Sequence, residues 1–142
     1  MINLGIVLKF ITLRFVHYFY NIRVFDWRAY IGIALLGFVR SVEMSPFNML
    51  IYRALRFTVT IIFYLAFTFS INNCFDIKCD AHKETKIKRN PIAAGHITFR
   101  EGLILSLCIA FMGLVLSYLW FDKNCFLIYF MMLLLSGAYS AP

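Results

Sequence analysis

The sequence predicts an all-α transmembrane fold: about four membrane-spanning helices preceded by an N-terminal helix lying in the membrane interface. Three observations lead there. Of 142 residues, 62% are hydrophobic and only 15% are charged, whereas soluble domains run near half apolar and about a quarter charged. Mean hydropathy is +0.78. Three stretches, Phe57–Phe75, Gly102–Phe121 and Asn124–Pro142, carry no charge, and each, at about 20 residues, is long enough to cross about 30 Å of hydrocarbon as a helix.

The opening MINLGIVLKFITLRFVHYFYNIR is apolar but contains Lys9, Arg14 and His17. At helical spacing these fall within one face of roughly 140°, so residues 1–22 form an amphipathic interfacial helix. No basic segment precedes the apolar run and no small-residue cleavage site follows, which argues against a secretory signal. Residues 23–142 form the membrane domain. Its first helix runs about Asp26–Val42, within the weaker candidate span Trp27–Glu43, where Arg28, Arg40 and Glu43 must lie near the ends or snorkel. The Ser45-Pro46-Phe47-Asn48 cluster breaks it.

The second helix spans about Met49–Asp80, more than a bilayer needs, so its last turns project into water. The loop Ala81–Ile97 follows, closed by Pro91 and Gly95. Thr98 with Glu101 three residues on is a capping-box signature, and it starts a third helix that ends near Phe121. Asp122-Lys123-Asn124 is too short a turn for anything but an antiparallel neighbour, the fourth helix, Cys125–Tyr139. Ser106, Ala110, Gly113 and Ser117 form a small-residue stripe on the third helix, a packing face in lipid.

Fourteen basic against seven acidic residues give a formal charge of +7. In a membrane chain that excess is topological, and no nucleic-acid partner is inferred. With four spans, Lys9, Arg14, Arg23, Arg28 and the basic residues from Lys78 to Arg100 fall on one side. Arg40, Arg53, Arg56 and Lys123 fall on the other. The positive-inside rule places the richer side, with the 76–101 loop, in the cytoplasm, as expected of a multi-pass protein of the cytoplasmic or inner membrane. The cysteines Cys74, Cys79, Cys108 and Cys125 match no zinc spacing, and His82 and His96 are expected to be solvated loop residues.

The chemistry concentrates between Asn72 and Gly95. Asn72, Asp76 and Asp80 are four apart, so they drift only about 40° per step and share a helix face. Two carboxylates and an amide at a membrane–water boundary suit Mg²⁺, which favours one or two carboxylates plus substrate phosphates. Ionisable residues at membrane depth mark function more often than not. The blander reading makes them polar residues at a helix exit, paired with Lys83 or Lys86. Lys83, Lys86, Lys88 and Arg89 crowd one loop. Most of them serve topology, and one or two can hold a diphosphate, Arg by a fork and Lys as a point charge. The expected chemistry is that of an enzyme acting on a lipid diphosphate. Aromatic residues on the second helix, Phe63, Tyr64, Phe67, Phe69 and Phe75, chiefly pack, and some can shield an allylic cation.

The array Asn72-x-x-x-Asp76-x-x-x-Asp80, the basic loop and the Asn90-Pro91-Ile92-Ala93-Ala94-Gly95 turn together resemble the UbiA superfamily of membrane prenyltransferases. Arg23 with Trp27 ahead of the first helix, and Tyr139-Ser140 before Pro142, are similar to further motifs of that family. Asn73 stands where the family has Asp, and Asn90 where Arg precedes the proline. The resemblance implies the first half of a nine-helix bundle around a cavity open to lipid. It implies a Mg²⁺-dependent transfer of a prenyl group from a prenyl diphosphate to a lipophilic acceptor. Catalytic and metal-holding roles then fall to Asp76 and Asp80, with Asn72 as a further ligand or substrate contact. Arg23, Lys83, Lys86, Arg89 and Tyr139 become substrate contacts. Because only about four of nine helices and one of two aspartate motifs are represented, the chain is expected to be part of a longer protein and inactive by itself. A soluble all-helical prenyl diphosphate synthase is opposed by the charge-free spans. A small non-catalytic four-helix membrane protein, a transporter fragment or assembly factor, is the alternative.

Overall fold

The computed structural model describes residues 4–42 and 46–141, with side chains in the first helix from Thr12 onward. The side chain of Lys9, and Glu43, Ser45 and Pro142, lie outside the described residues. Helix follows helix, and no strand occurs among the described residues. Helix α1 covers Leu4–Asn21, and a 3-10 turn, Val24–Trp27, leads into α2, Arg28–Ser41. Helix α3 is Phe47–Phe75, followed by the short α4, Ile77–Ala81, and α5, Glu84–Ile87. Helices α6, Phe99–Trp120, and α7, Lys123–Ser140, complete the chain.

Two helices, α3 and α6, are long and apolar enough to cross a membrane. With 29 and 22 residues they extend about 43 Å and 33 Å at the helical rise. The expected first span comes out shorter, and the fourth, expected over Cys125–Tyr139, longer at both ends. Helix α2 has 14 residues and α7 has 18, about 21 Å and 27 Å. The first begins only after Trp27 because the 3-10 turn uses up the preceding residues, and the other includes Lys123 and Asn124 in its first turn. Large apolar side chains such as Ile104, Leu107, Phe111, Val115 and Leu119 stand exposed along α6, a surface that water would penalise and lipid would not.

Helix α3 is the hub on which α6, α7, α2 and α1 pack. One core joins Phe67 and Ile71 of α3 to Tyr129 and Leu133 of α7. A second seats Trp27 against Leu65 and Ala66, with the Trp27 indole donating to the Ile22 carbonyl at 2.9 Å. A third joins Cys74 to Ile92 and Ile97, so that the turn after α5 is anchored beneath the end of α3. The small-residue stripe does what its spacing implies: Ser106, Gly113 and Ser117 are buried. A Cβ added at Gly113 would stand 3.1 Å from the Cβ of Phe63 and collide with the Tyr129 hydroxyl.

Local signals hold at the helix ends. Thr98 and Glu101 form the reciprocal capping box. Asp122 caps α7, accepting from the backbone of Asn124 at 2.8 Å and Cys125 at 3.0 Å. The expected continuous helix to Asp80 instead breaks at Asp76, where ψ is 6°. The hydrogen bonds from Asp76 N to the Asn72 carbonyl (2.9 Å) and from Asp80 N to the Asp76 carbonyl (2.8 Å) nevertheless carry the ladder across. The loop expected over Ala81–Ile97 contains α5 and a turn ending at Gly95, whose φ of 75° suits a residue without a Cβ.

Of the polar side of α1, Arg14 and His17 face protein. Arg14 is ion-paired with Glu101 of α6, Tyr18 donates to the same carboxylate at 3.2 Å, and His17 stacks on His96.

Candidate functional site

The acidic array sits where α3 gives way to α4, and its members divide. The Asn72 amide nitrogen donates to Asp76 Oδ2 at 2.6 Å, so these two act as a unit one helical turn deep. Asp80 is buried and looks toward the loop. Its Oδ2 accepts from the Asn90 amide at 3.1 Å, and its Oδ1 lies 3.5 Å from the Lys86 ammonium. The helix-exit pairing that the sequence offered as the blander reading is therefore present at Asp80 and not at Asp76. No group of three or more His, Cys, Asp or Glu able to hold a metal occurs among the described residues.

Asn72 opens onto a cavity of about 430 Å³ between α2, α3 and α7, walled by Tyr30, Leu65, Phe69 and Leu135 and reaching Tyr139 and Ser140. Two predicted site residues from distant parts of the chain, Asn72 and Tyr139, thus meet in one hollow. Hydroxyls in its wall are joined to one another, Tyr64 to Ser136 at 2.9 Å and Thr68 to Ser136 at 3.3 Å.

Arg23 and Arg89 meet in a second, more polar hollow of about 260 Å³, shared with Lys88, Asp26, Tyr20 and Phe25. Arg23 holds a left-handed backbone, φ 54°, a conformation that costs a residue with a Cβ about 1–2 kcal/mol. It ends α1 there. The side chain is fixed by Asp26, with Nε donating at 2.8 Å and a second nitrogen 2.6 Å away. Its guanidinium also lies over the Phe69 ring, 5.1 Å from the centroid. Phe69 lines the first cavity, so Arg23 is where the two hollows adjoin. Lys83, by contrast, is exposed and lines neither.

The sequence reading passed over a set of buried amides and hydroxyls beside the aspartates. Asn73 donates to the Asn21 carbonyl at 2.9 Å and to its side-chain oxygen at 3.2 Å. Asn21 donates to Ser70 at 2.6 Å, and Ser106 donates to Ser70 at 2.7 Å. Ser70 and Asn73 are three apart and so lie on one face of α3. That polar pair inside an apolar run was the available signal. Ser106, read only as a packing residue, belongs to both the stripe and the chain of hydrogen bonds.

No curated protein and no solved structure matches this chain. The family model described as the UbiA prenyltransferase family matches residues 31–142, which include the whole of Asn72–Gly95 and Tyr139 and leave Arg23 just outside. With an all-helical bundle, two helices fit to cross a membrane, and an Asn72 that borders an apolar cavity while bonding Asp76, the chain belongs to the UbiA prenyltransferase family.

Proposed function

We propose that this chain contributes the first aspartate motif and part of the lipid-facing cavity of a membrane prenyltransferase. The enzyme would transfer a prenyl group from a prenyl diphosphate to a lipophilic acceptor. The observation that carries this reading is Asn72, which lines a largely apolar cavity of about 430 Å³ and bonds Asp76 at 2.6 Å. Cavities of that order suit elongated apolar ligands with one polar end.

The donor set fits magnesium. Asn72, Asp76 and Asp80 offer only oxygen ligands, the kind a hard cation takes. Asn72 has its nitrogen turned to Asp76, so the carbonyl oxygen of the same amide is the ligand atom. The small number of acidic groups matches an ion that shares its coordination with substrate phosphates. Bound there, the ion would neutralise negative charge developing on the leaving diphosphate.

The protein's own residues do the rest. Arg23, Arg89 and Lys86 contact diphosphate oxygens, with Lys83 an outer member of the same basic loop. Tyr139 borders the tail cavity. As the allylic C–O bond breaks, its electron pair leaves with the diphosphate. Phe69 presents a π face to the resulting cation, and the apolar walls keep water from capturing it. The acceptor nucleophile then attacks the allylic carbon and loses its proton. In this arrangement α2, α3, α6 and α7 are the four spans, tilted or flanked by interfacial residues where short. Residues 1–22 lie in the interface, and the aspartates face the cytoplasm.

The test is Mg²⁺-dependent diphosphate release from a prenyl diphosphate by membranes containing the full chain as its gene encodes it. Asp76→Asn is expected to lower release by about 100-fold or more, the scale of losing one charge-stabilising group. Release equal to the unmodified protein would refute the assignment of this site.

A further inference from the structure

The two oxygens of Asp80 are held in different ways. Oδ2 accepts from Asn90 at 3.1 Å, while Oδ1 faces Lys86 at 3.5 Å. Asn90 is only 1% exposed, and its amide is fully engaged. The nitrogen also donates to the Asn73 carbonyl at 2.9 Å. Its oxygen accepts from the backbone of Ile92 at 3.1 Å and Ala93 at 3.2 Å. An amide has two N–H groups and two lone pairs, and all four are used, so the side chain has a single orientation. Lys86 is the opposite case, half exposed on a flexible stem.

We propose that Asn90 is the positioning residue of this site: it clamps Oδ2 of Asp80 and thereby presents Oδ1 to a divalent cation, with the Lys86 ammonium as the resident counter-ion that the metal displaces. This rests on the reading of Asp80 as a magnesium ligand. A neutral donor orients a carboxylate without cancelling its charge.

The clamp is anchored well beyond the loop. Through the Asn73 backbone it joins the buried path Asn73–Asn21–Ser70–Ser106, which ties together α3, the end of α1 and α6. Asn73 Oδ1 is a buried side-chain oxygen without a partner. Such a group favours occupation by water or rearrangement, and it lies within the same network. Outer partners of metal ligands typically change metal affinity 10–100-fold when removed.

The test is Mn²⁺ binding, without substrate, to the full chain in lipid nanodiscs, followed by electron paramagnetic resonance, with thermal unfolding measured in parallel. Asn90→Ser can still cap the turn, because a serine hydroxyl accepts from nearby backbone N–H groups, but it is too short to hold Asp80. Its Mn²⁺ dissociation constant is expected to rise about 10-fold. A role confined to the turn would lower the unfolding temperature and leave that constant unchanged, which would overturn the proposal. Lys86→Ala alters an exposed side chain and is expected to tighten Mn²⁺ binding several-fold, since Oδ1 is no longer shared. Equal or weaker binding there also overturns it. Asp80→Asn separates the two levels: unaltered Mn²⁺ binding in that variant removes the magnesium reading itself, whereas lost binding in it with no change in Asn90→Ser removes only the positioning role.

Discussion

His17 and His96 stack face to face, with ring centroids 4.2 Å apart and planes 18° from parallel. The contact fastens α1 to the turn before α6, next to the Arg14–Glu101 ion pair and the Tyr18 hydroxyl that shares it. Burial, and secondarily the facing His96, hold His17 below its ordinary value of 6.5. The folded state therefore prefers neutral His17. Its stabilising contribution is complete above the unfolded value and is lost as pH falls through the lower folded one. Hydrogen exchange of the 12–21 amides, corrected for intrinsic rate, should accelerate as pH falls below the ordinary value of 6.5. His17→Phe should remove most of that pH response. An exchange profile flat in pH would show that the stack does not hold the helix.

Gly113 lies where α6 packs against α3 and α7, facing Phe63 and Tyr129. Gly113→Ala should destabilise the bundle by about 1–3 kcal/mol, the usual cost of overpacking. Gly113→Val should be worse. Thermal unfolding in detergent measures this, and an unchanged midpoint for the alanine variant would mean the helices separate easily there.

Cys79 is exposed beside the aspartates, whereas Cys74 is buried. A variant keeping only Cys79 should react with a membrane-impermeant maleimide in vesicles with the cytoplasmic face outward and resist it in the opposite orientation. The reverse pattern would invert the topology drawn from loop charge.

Lys86→Ala should raise the KM for prenyl diphosphate by about 3–10-fold and change kcat less, because a half-exposed cation acts mainly on approach and binding. A loss confined to kcat would move Lys86 from binding into the chemical step.

What was legible in the sequence was local or periodic. The Thr98–Glu101 box depends on residues three positions apart, and it is found; the turn expected at Asp122-Lys123-Asn124 instead gives its last two residues to α7, with Asp122 as the cap. The small-residue stripe is a period along a single helix, and Ser106, Gly113 and Ser117 of it are buried. The site was legible in part. The spacing of Asn72 and Asp76 put them on one face, and they bond. Asp80 obeys the same spacing, yet its carboxylate bonds to Asn90, ten positions on, through a fold-back that helical periodicity does not encode. Asn21 and Asn73 are 52 positions apart, and nothing in either neighbourhood announces the other. The break at Asp76 carries no side-chain cap, so no local capping signal marks where the helix gives way. The polar face of α1 was visible as a pattern, but whether lipid headgroups or protein would meet it depended on Glu101 and His96, far along the chain.

The hydroxyls of Tyr64, Thr68 and Ser136 interrupt the greasy wall of the larger hollow, and two hydrogen bonds link them. Three O–H groups sharing two bonds leave one donor over. Under the proposed function, that wall can still offer a hydrogen bond to an oxygen-bearing acceptor while a purely hydrocarbon tail gains nothing from it.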